Sequence, residues 1–274
     1  MTPPMTPSGS NTPHTPSEIE VALDELRAAA VFLTRLPARL VGYDSRQVPD
    51  FRRGARVFPV VGALVGLAGG LVLAVAMALG VAATVAAVLA VATTALITGG
   101  LHEDGLADTA DSFGGDTTEK KLAILDDSRI GAYGALALVF SVLLRVAPLA
   151  AIAAMHPIHA LFALVGAEAV SRAALVRLWH DLPAARTGGL SNDAGVPDSY
   201  AMLIAIAIGA AIAVVVCVPT VGLWATILGG AFAALATFAF IRLMGHTLGG
   251  RTGDSLGACQ QVAVAAFLVG ASVS

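Results

Sequence analysis

The sequence VAATVAAVLAVATTALITGG, residues 81–100, contains no charged side chain, and LHEDGLADTADSFGG, residues 101–115, follows it directly with four acidic ones. A helix that crosses a bilayer needs about 20 predominantly apolar residues, which the first segment provides. The second segment is too polar for lipid, because a charged side chain at the centre of a membrane helix costs about 2.5–3.5 kcal/mol. Together they predict a spanning helix that ends in an acidic segment at the membrane surface.

Composition extends this prediction to the whole chain. Of its 274 residues, 57% are hydrophobic and 13% are charged, with a mean hydropathy of +0.81. Soluble domains carry about 25% charged residues. We therefore expect an all-α, polytopic helical membrane protein that lies in the lipid bilayer and has no nucleic-acid partner. Cys217 and Cys259 form no CxxC pair, which argues against a disulfide framework or a zinc site. Whether the chain forms a homo-oligomer is left open.

Apolar segments of spanning length set the predicted topology. We predict about seven transmembrane helices, over residues 57–79, 81–98, 134–155, 160–179, 200–218, 223–243 and 256–273. A weaker segment, 21–41, predicts an N-terminal amphipathic or re-entrant helix. Residues 1–17 are rich in Pro, Thr and Ser and predict a disordered tail rather than a signal peptide. Residues 18–274 are predicted to form a single integral-membrane catalytic domain.

Basic residues predict the orientation of the helices. With seven spans, every Lys and Arg except Arg145 and Arg172 falls on one side of the membrane. Cytoplasmic loops are enriched in these residues, so this side is predicted to be cytoplasmic. The loops 101–133, 180–199 and 245–255 share it and could converge on one site.

The acidic segment has a helical spacing. Asp104, Asp108 and Asp111 fall at i, i+4 and i+7, so on a helix they line one stripe. Like charges at this spacing repel each other, and solubility does not require them to align. Oxygen ligands with no cysteine nearby suit a hard cation such as Mg2+. The alternative interpretation is a solvated acidic loop without a ligand.

Two later motifs add polar groups of the kind that bind phosphate. LDDSRIGAYG, residues 125–134, contains Asp127 and Arg129 beside two glycines, and GGRTGDSLGA, residues 249–258, contains Arg251 and Asp254. An arginine binds phosphate oxygens bidentately, and a glycine-rich backbone can approach a phosphate closely. With the acidic stripe, these motifs favour metal-assisted phosphoryl transfer on a nucleotide-activated substrate.

The same motifs resemble a known family. GGLHEDGLADTADSFGG, ILDDSRIGAYG and GGRTGDSLGA, with FLTRLP (residues 32–37) and FPVVGALVG (residues 58–66) before them, resemble the cobalamin synthases, or adenosylcobinamide-GDP ribazoletransferases. The resemblance extends from about residue 26 to residue 258 and implies a multi-pass inner-membrane enzyme that needs Mg2+. Such an enzyme joins α-ribazole, or its 5′-phosphate, to adenosylcobinamide-GDP. The products are adenosylcobalamin, or its 5′-phosphate, and GMP.

The resemblance also implies roles for individual residues. It assigns the three aspartates of the acidic stripe to the metal and the diphosphate, and His102 to substrate contact or to support of a ligand. The positions that it implies for substrate binding are Asp127, Arg129, Gly253 and Asp254. Glu103 replaces an apolar residue of the family pattern, so we do not expect it to be a required ligand.

Three charged residues are predicted to lie inside spans. Arg145, Glu168 and Arg172 fall in the third and fourth helices. Ionisable groups at this depth suggest a function by default. We favour a structural role, in which Glu168 pairs with one or both arginines away from the acidic loops.

Two other functions are kept open. A CDP-alcohol phosphotransferase also has an Asp-Gly followed by spaced aspartates on a membrane helix, although here Ala107 is followed by Asp108 where that family usually has an arginine. A secondary transporter could use the buried charged residues as a relay. Release of GMP, of CMP or of neither nucleotide would distinguish the three classes.

Overall fold

α-Helices account for the architecture of the residues described by the computed structural model, which are 17–44, 49–127, 129–186 and 194–273. No β-strand occurs in these ranges, which confirms the predicted all-α class. The predicted tail, residues 1–17, lies outside the described residues except for Ser17. The helices are α1 (Glu18–Leu33), α2 (Ala38–Val41), α3 (Phe51–Gly54), α4 (Phe58–Ala78), α5 (Ala83–Thr98), α6 (Leu101–Ser112), α7 (Thr118–Leu125), α8 (Ala132–Met155), α9 (Pro157–Asp181), α10 (Ser199–Cys217), α11 (Leu223–Thr247) and α12 (Gly253–Ala271).

Local sequence signals explain where several helices begin. Ser17 and Glu20 form a reciprocal capping box at the start of α1. The side chain of Asp198 accepts the backbone N–H of Ala201 at the start of α10, over 2.7 Å. Each of these side chains satisfies N–H groups that have no partner within the helix itself.

The membrane-spanning class is confirmed, whereas the count of seven spans is not. Among the described residues, five segments are long and apolar enough to cross a membrane: residues 51–78, α8, α10, α11 and α12. The predicted span 81–98 corresponds to α5, which meets the same criterion only together with α6. The predicted span 160–179 lies within α9, which is long enough but less apolar, because it carries Glu168 and Arg172.

The junction between α5 and α6 positions the acidic segment. Gly99 and Gly100 have φ angles of 66° and 70°, which only glycine adopts at little cost. The two helices are bent by 91° at this point. Because of this bend, α6 does not continue the path of α5, and we place α6 outside the membrane-spanning segments.

Helix α9 forms the centre of the bundle. Most of its side chains are buried, and it packs against α4, α8, α10, α11 and α12. The approach of α4 is close because Gly66 faces α9: a Cβ there would lie 2.8 Å from the carbonyl oxygen of Leu164. Small residues permit this type of close packing between membrane helices.

The predicted amphipathic segment forms α1 and α2. Ala29 and Leu33 of α1 are buried, and Phe32 lies 4.7 Å from Phe51 and 6.0 Å from Trp179 between ring centroids. Aromatic pairs at these separations stabilise a contact beyond the area that they bury. The FLTRLP motif therefore docks α1 onto the end of α9.

Candidate active site

The acidic helix α6 lies directly against the first turns of α12. A Cβ on Gly105 would lie 2.6 Å from the carbonyl oxygen of Asp254, and one on Gly257 would lie 3.1 Å from the Cα of His102. Backbones approach this closely only where glycine removes the side chain. The contact brings together two motifs that are about 150 residues apart in the sequence.

Carboxylates from both helices form one acidic face, which we define as Asp104, Asp108, Asp111 and Asp254. Asp104 is exposed, and the other three are partly buried. Burial, followed by the charges of Asp104, Asp254 and Asp111, raises the pKa of Asp108 to about 6. The predicted stripe on α6 is therefore formed, and Asp254 lies close enough to interact with it. A cation at this face would relieve the repulsion between these like charges.

Asp111 has a second role in the structure. Its carboxylate accepts the backbone N–H of Gly131 at 2.7 Å and of Gly134 at 2.8 Å. These N–H groups belong to the start of α8, where a helix favours a negative charge. The second motif, ILDDSRIGAYG, is thereby fixed beside the acidic helix.

Asp127 and Arg129 form an exposed ion pair on the same loop. Arg129 Nη2 lies 2.6 Å from Asp127 Oδ2, and the Arg129 side chain is 86% exposed. Hydrogen bonds and charge from Arg129 lower the pKa of Asp127 to about 2. Arg129 is exposed to solvent, two residues before Gly131, whose N–H the acidic face binds through Asp111.

Arg186 is a functional candidate that sequence reasoning missed. It forms an ion pair with Asp126, and it interacts electrostatically with Asp254. Its only signal in the sequence was its position in the loop 180–199, on the side predicted to be cytoplasmic. A second cationic side chain therefore lies at the edge of the acidic face.

The glycine-rich motif suggested that Arg251 is an exposed phosphate ligand, but in the structure Arg251 is buried. Its side chain is 2% exposed, and its Nε donates to the carbonyl oxygen of Trp179 at 3.1 Å. Its backbone N–H donates to Pro183, and its carbonyl accepts the N–H of Ala185. These contacts favour a structural role that holds the loop before α12 against the end of α9. Contact of Arg251 with substrate stays a prediction.

Gly253 is exposed at the start of α12, whereas His102 is buried at the contact between α6 and α12. A Cβ on Gly253 would meet no described atom within 4 Å, so a ligand has room there. His102 is 1% exposed, and burial together with Arg172 and Arg145 lowers its pKa well below the usual range. The imidazole is therefore neutral at pH 7. Its burial favours support of α6 over contact with substrate.

The buried charged residues are connected to the acidic helix, contrary to our expectation. We expected Glu168 to pair with Arg145, with Arg172 or with both, away from the acidic loops. Instead, Arg145 Nη1 lies 3.1 Å from Glu103 Oε1, while Glu168 pairs with Arg172. The sequence carried no signal for this pairing, because Glu103 and Arg145 lie on different helices and only the bend after α5 brings them together.

The acidic face does not enclose a metal site by itself. Among the described residues, no group of three or more His, Cys, Asp or Glu side chains is arranged to hold a metal ion. Mg2+ is usually bound by one or two carboxylates together with substrate phosphates and waters. The donor set is thus compatible with a cation shared with a phosphorylated substrate. A cavity of about 490 Å³ lies elsewhere, between α9, α10, α11 and α12.

A spanning helical bundle with clustered carboxylates and arginines on one surface defines an integral membrane enzyme. The family model described as cobalamin-5-phosphate synthase matches residues 25–272. The chain therefore belongs to this family, and it is a transferase of cobalamin biosynthesis. The family match decides against the CDP-alcohol phosphotransferase and transporter interpretations.

Curated relatives are named adenosylcobinamide-GDP ribazoletransferase. The protein of Azorhizobium caulinodans is 46% identical over 250 residues, which cover 90% of this chain and 95% of the relative. The protein of Brucella melitensis is 40% identical over 241 residues, covering 87% and 92%. The protein of Allorhizobium ampelinum is 39% identical over 241 residues, covering 88% and 93%. No solved structure matches the chain.

Proposed function

We propose that this protein joins α-ribazole, or its 5′-phosphate, to adenosylcobinamide-GDP at the acidic face, with release of GMP. The proposal takes its substrates from the names of the relatives and its location from the structure. The observation that supports the location best is the backbone contact between Gly105 and Asp254. This contact joins the motif of α6 to the motif at the start of α12, and these two motifs carry the carboxylates of the acidic face.

The atoms of the reaction balance without an additional redox partner. A hydroxyl oxygen of the ribazole, whether free or 5′-phosphorylated, forms a bond to the phosphorus nearest to the cobinamide. The bond from this phosphorus to the bridging oxygen breaks, and GMP leaves with that oxygen. The proton of this hydroxyl passes to a carboxylate of the acidic face or to water.

The residues of α6 fit a Mg2+ ion. Asp104 and Asp108 present their carboxylates to the same side, and Asp111 retains acceptor capacity because each carboxylate oxygen can accept more than one contact. When bound, Mg2+ neutralises the charge that develops on the diphosphate. The ion would be held by one or two of these three side chains together with oxygens of the substrate.

Cationic groups around the face bind and orient the diphosphate. Arg129 is exposed, and Arg186 lies near Asp254, so both can reach phosphate oxygens from the rim. Arginine binds phosphate in a planar, bidentate geometry that fixes orientation as well as charge. Gly253 leaves open space beside Asp254 for the bound substrate.

Purified protein in detergent or vesicles tests the proposal. GMP release should require adenosylcobinamide-GDP, α-ribazole and Mg2+ together, and a chelator should abolish it. Asp104→Asn should lower turnover by about 10²–10³-fold, as expected when a charge-stabilising group is removed. The exposed Glu119→Gln on α7 serves as a charge-matched control. GMP release with either substrate alone, or full activity of Asp104→Asn, would contradict the proposal.

We also propose that the acidic face is cytoplasmic and that the membrane is the inner membrane. The support is the distribution of Lys and Arg along the sequence. Guanine nucleotides are present in the cytoplasm, so this orientation supplies the activated substrate and recovers GMP on the same side.

A further inference from the structure

Glu103 lies on the side of α6 that faces the bundle. It precedes Ala107 and Ala110 on one helical stripe, at i, i+4 and i+7, while the neighbouring residue Asp104 begins the acidic stripe. The Glu103 side chain is 16% exposed, whereas Asp104 is exposed. A rotation of α6 that moved Glu103 would therefore move the acidic stripe by the same angle.

The carboxylate of Glu103 is held by two other helices. Its Oε1 accepts from Arg145 Nη1 of α8 at 3.1 Å and from Gln261 Nε2 of α12 at 3.1 Å. Ser141 donates to the side-chain oxygen of Gln261 at 3.0 Å, which orients this amide. Arg145 is 2% exposed, so its charge depends on Glu103 for compensation.

The network continues into the centre of the bundle. Gln261 donates to Gln260, and Gln260 donates to Glu168 at 3.2 Å and to Ser171 at 3.0 Å. Glu168 also accepts from Arg172 on the same helix. The acidic helix is thus tied through Glu103 to α9, the central helix of the bundle.

Other buried polar groups of α6 form no hydrogen bonds that would fix the helix to the bundle. The buried atoms His102 Nε2 and Thr109 Oγ1 have no hydrogen-bond partner among the described residues, and neither does the second oxygen of Glu103. Asp111 anchors the other end of α6 to α8. Glu103 and Asp111 therefore bracket Asp104 and Asp108, one at each end of the helix.

We infer that Glu103 is a positioning residue for the reaction. Its ion pair with Arg145 and its hydrogen bond from Gln261 set the rotation of α6, and with it the direction in which Asp104 and Asp108 point. Glu103 does not contact substrate in this role. The inference rests on the proposed function, since it takes the acidic face as the site of reaction.

Three variants separate positioning from simple structural support. Glu103→Gln keeps the size of the side chain but leaves Arg145 without a counterion. Glu103→Gln combined with Arg145→Gln removes the unpaired buried charge as well. Glu119→Gln on the exposed surface of α7 is the matched control. The readouts are Tm, kcat per folded protein, KM for adenosylcobinamide-GDP, and hydrogen–deuterium exchange of residues 101–113.

If Glu103 positions α6, a variant that regains stability should not regain turnover. Glu103→Gln should lower Tm, lower kcat on the order of 10²-fold with KM little changed, and speed exchange in α6. In the double variant, Tm should recover, because no buried charge is unpaired, while kcat stays low and exchange in α6 stays fast. If Glu103→Gln does not fold, the double variant alone carries the test.

Two results would overturn the inference. One is wild-type exchange in α6 for either variant. The other is a kcat per folded protein that returns to the wild-type level whenever Tm does, as structural support alone would give. Hydrogen–deuterium exchange is measured without substrate, so it tests whether Glu103 anchors α6 even if the wild-type protein releases no GMP. A wild-type protein that releases no GMP would contradict the proposed function but not the anchoring of α6.

Discussion

The carboxylate of Asp111 accepts the backbone N–H of Gly134 over 2.8 Å, which fixes the last turn of α6 to the first turn of α8. Asp111 is therefore both a member of the acidic face and a cap of α8. This dual role separates it from Asp104, which is exposed and belongs to the same predicted stripe.

This difference predicts different outcomes for two substitutions. Asp111→Ala should lower both turnover and stability, since loss of a side-chain cap costs about 0.5–2 kcal/mol. Asp104→Asn should lower turnover and leave Tm nearly unchanged. Thermal unfolding in detergent, followed beside GMP release, measures both effects. Equal Tm values for the two variants would show that the contacts of Asp111 with Gly131 and Gly134 do not stabilise the fold.

The raised pKa of Asp108 predicts a pH dependence of stability. The folded-state pKa of about 6 lies above the usual value of about 3.9. The charged carboxylate thus destabilises the fold above pH 6, and this cost falls between pH 6 and pH 4 and disappears below. Without divalent cations, Asp108→Asn should raise Tm at pH 7.5 by about 2–4 °C, taking about 1 kcal/mol after allowance for exposure of the side chain. The gain should vanish near pH 4.

Cation binding should reverse this effect. Added Mg2+ or Mn2+ should raise the Tm of the wild-type protein at pH 7.5 and raise that of Asp108→Asn less, because a carboxylate ligand has been removed. More Mg2+ should be needed for half-maximal GMP release at pH 5.5 than at pH 7.5, since protonation of Asp108 competes with the ion. A Mg2+ requirement that is independent of pH in the wild-type protein would contradict this assignment.

The close contact at Gly105 predicts a strict requirement for glycine. In Gly105→Ala the new Cβ would lie 2.6 Å from the carbonyl oxygen of Asp254, so α6 and α12 must separate. We expect a loss of about 1–3 kcal/mol in stability and a large loss of turnover. Gly230→Ala is the matched control, because a Cβ on Gly230 would meet no described atom outside its helix within 4 Å. Equal effects of the two substitutions would argue against the contact.

Cysteine labelling tests the predicted orientation. The native Cys217 and Cys259 are buried, so they should react little with a membrane-impermeant maleimide. Glu119→Cys, on exposed α7, should be labelled only after the cells are opened. Leu79 follows the C-terminal end of α4, which the predicted topology places on the other side of the membrane from α7, and it is 79% exposed. Leu79→Cys should therefore be labelled in intact cells. The reverse pattern would place the acidic face outside the cytoplasm.

Much of the fold followed from hydrophobic segments and local signals. The predicted spans 134–155, 200–218 and 223–243 correspond closely to α8, α10 and α11, because long apolar runs have few alternatives to a membrane helix. The acidic stripe of Asp104, Asp108 and Asp111 followed from helical periodicity alone. These are properties of residues near each other in the sequence.

Other features depend on packing between distant helices. The pairing of Glu103 with Arg145 requires the 91° bend after α5, and Gly99-Gly100 in the sequence indicates a helix end but not an angle. The burial of Arg251 depends on the loop at Pro183, which no pattern near Arg251 indicates. Arg251 beside glycines is compatible with a phosphate ligand and with a structural tie, and only tertiary contacts distinguish the two.

The burial of α9 has a consequence for genetic variation in this protein. Its small residues, including Ala163, Ala167 and Ala169, are fully covered by neighbouring helices, so larger side chains at these positions have no space. In a library of random substitutions, inactive clones should therefore concentrate in a helix that carries none of the proposed reacting groups. A survey of such clones should show that α9 tolerates fewer substitutions than α6, although the proposed reacting groups lie on α6.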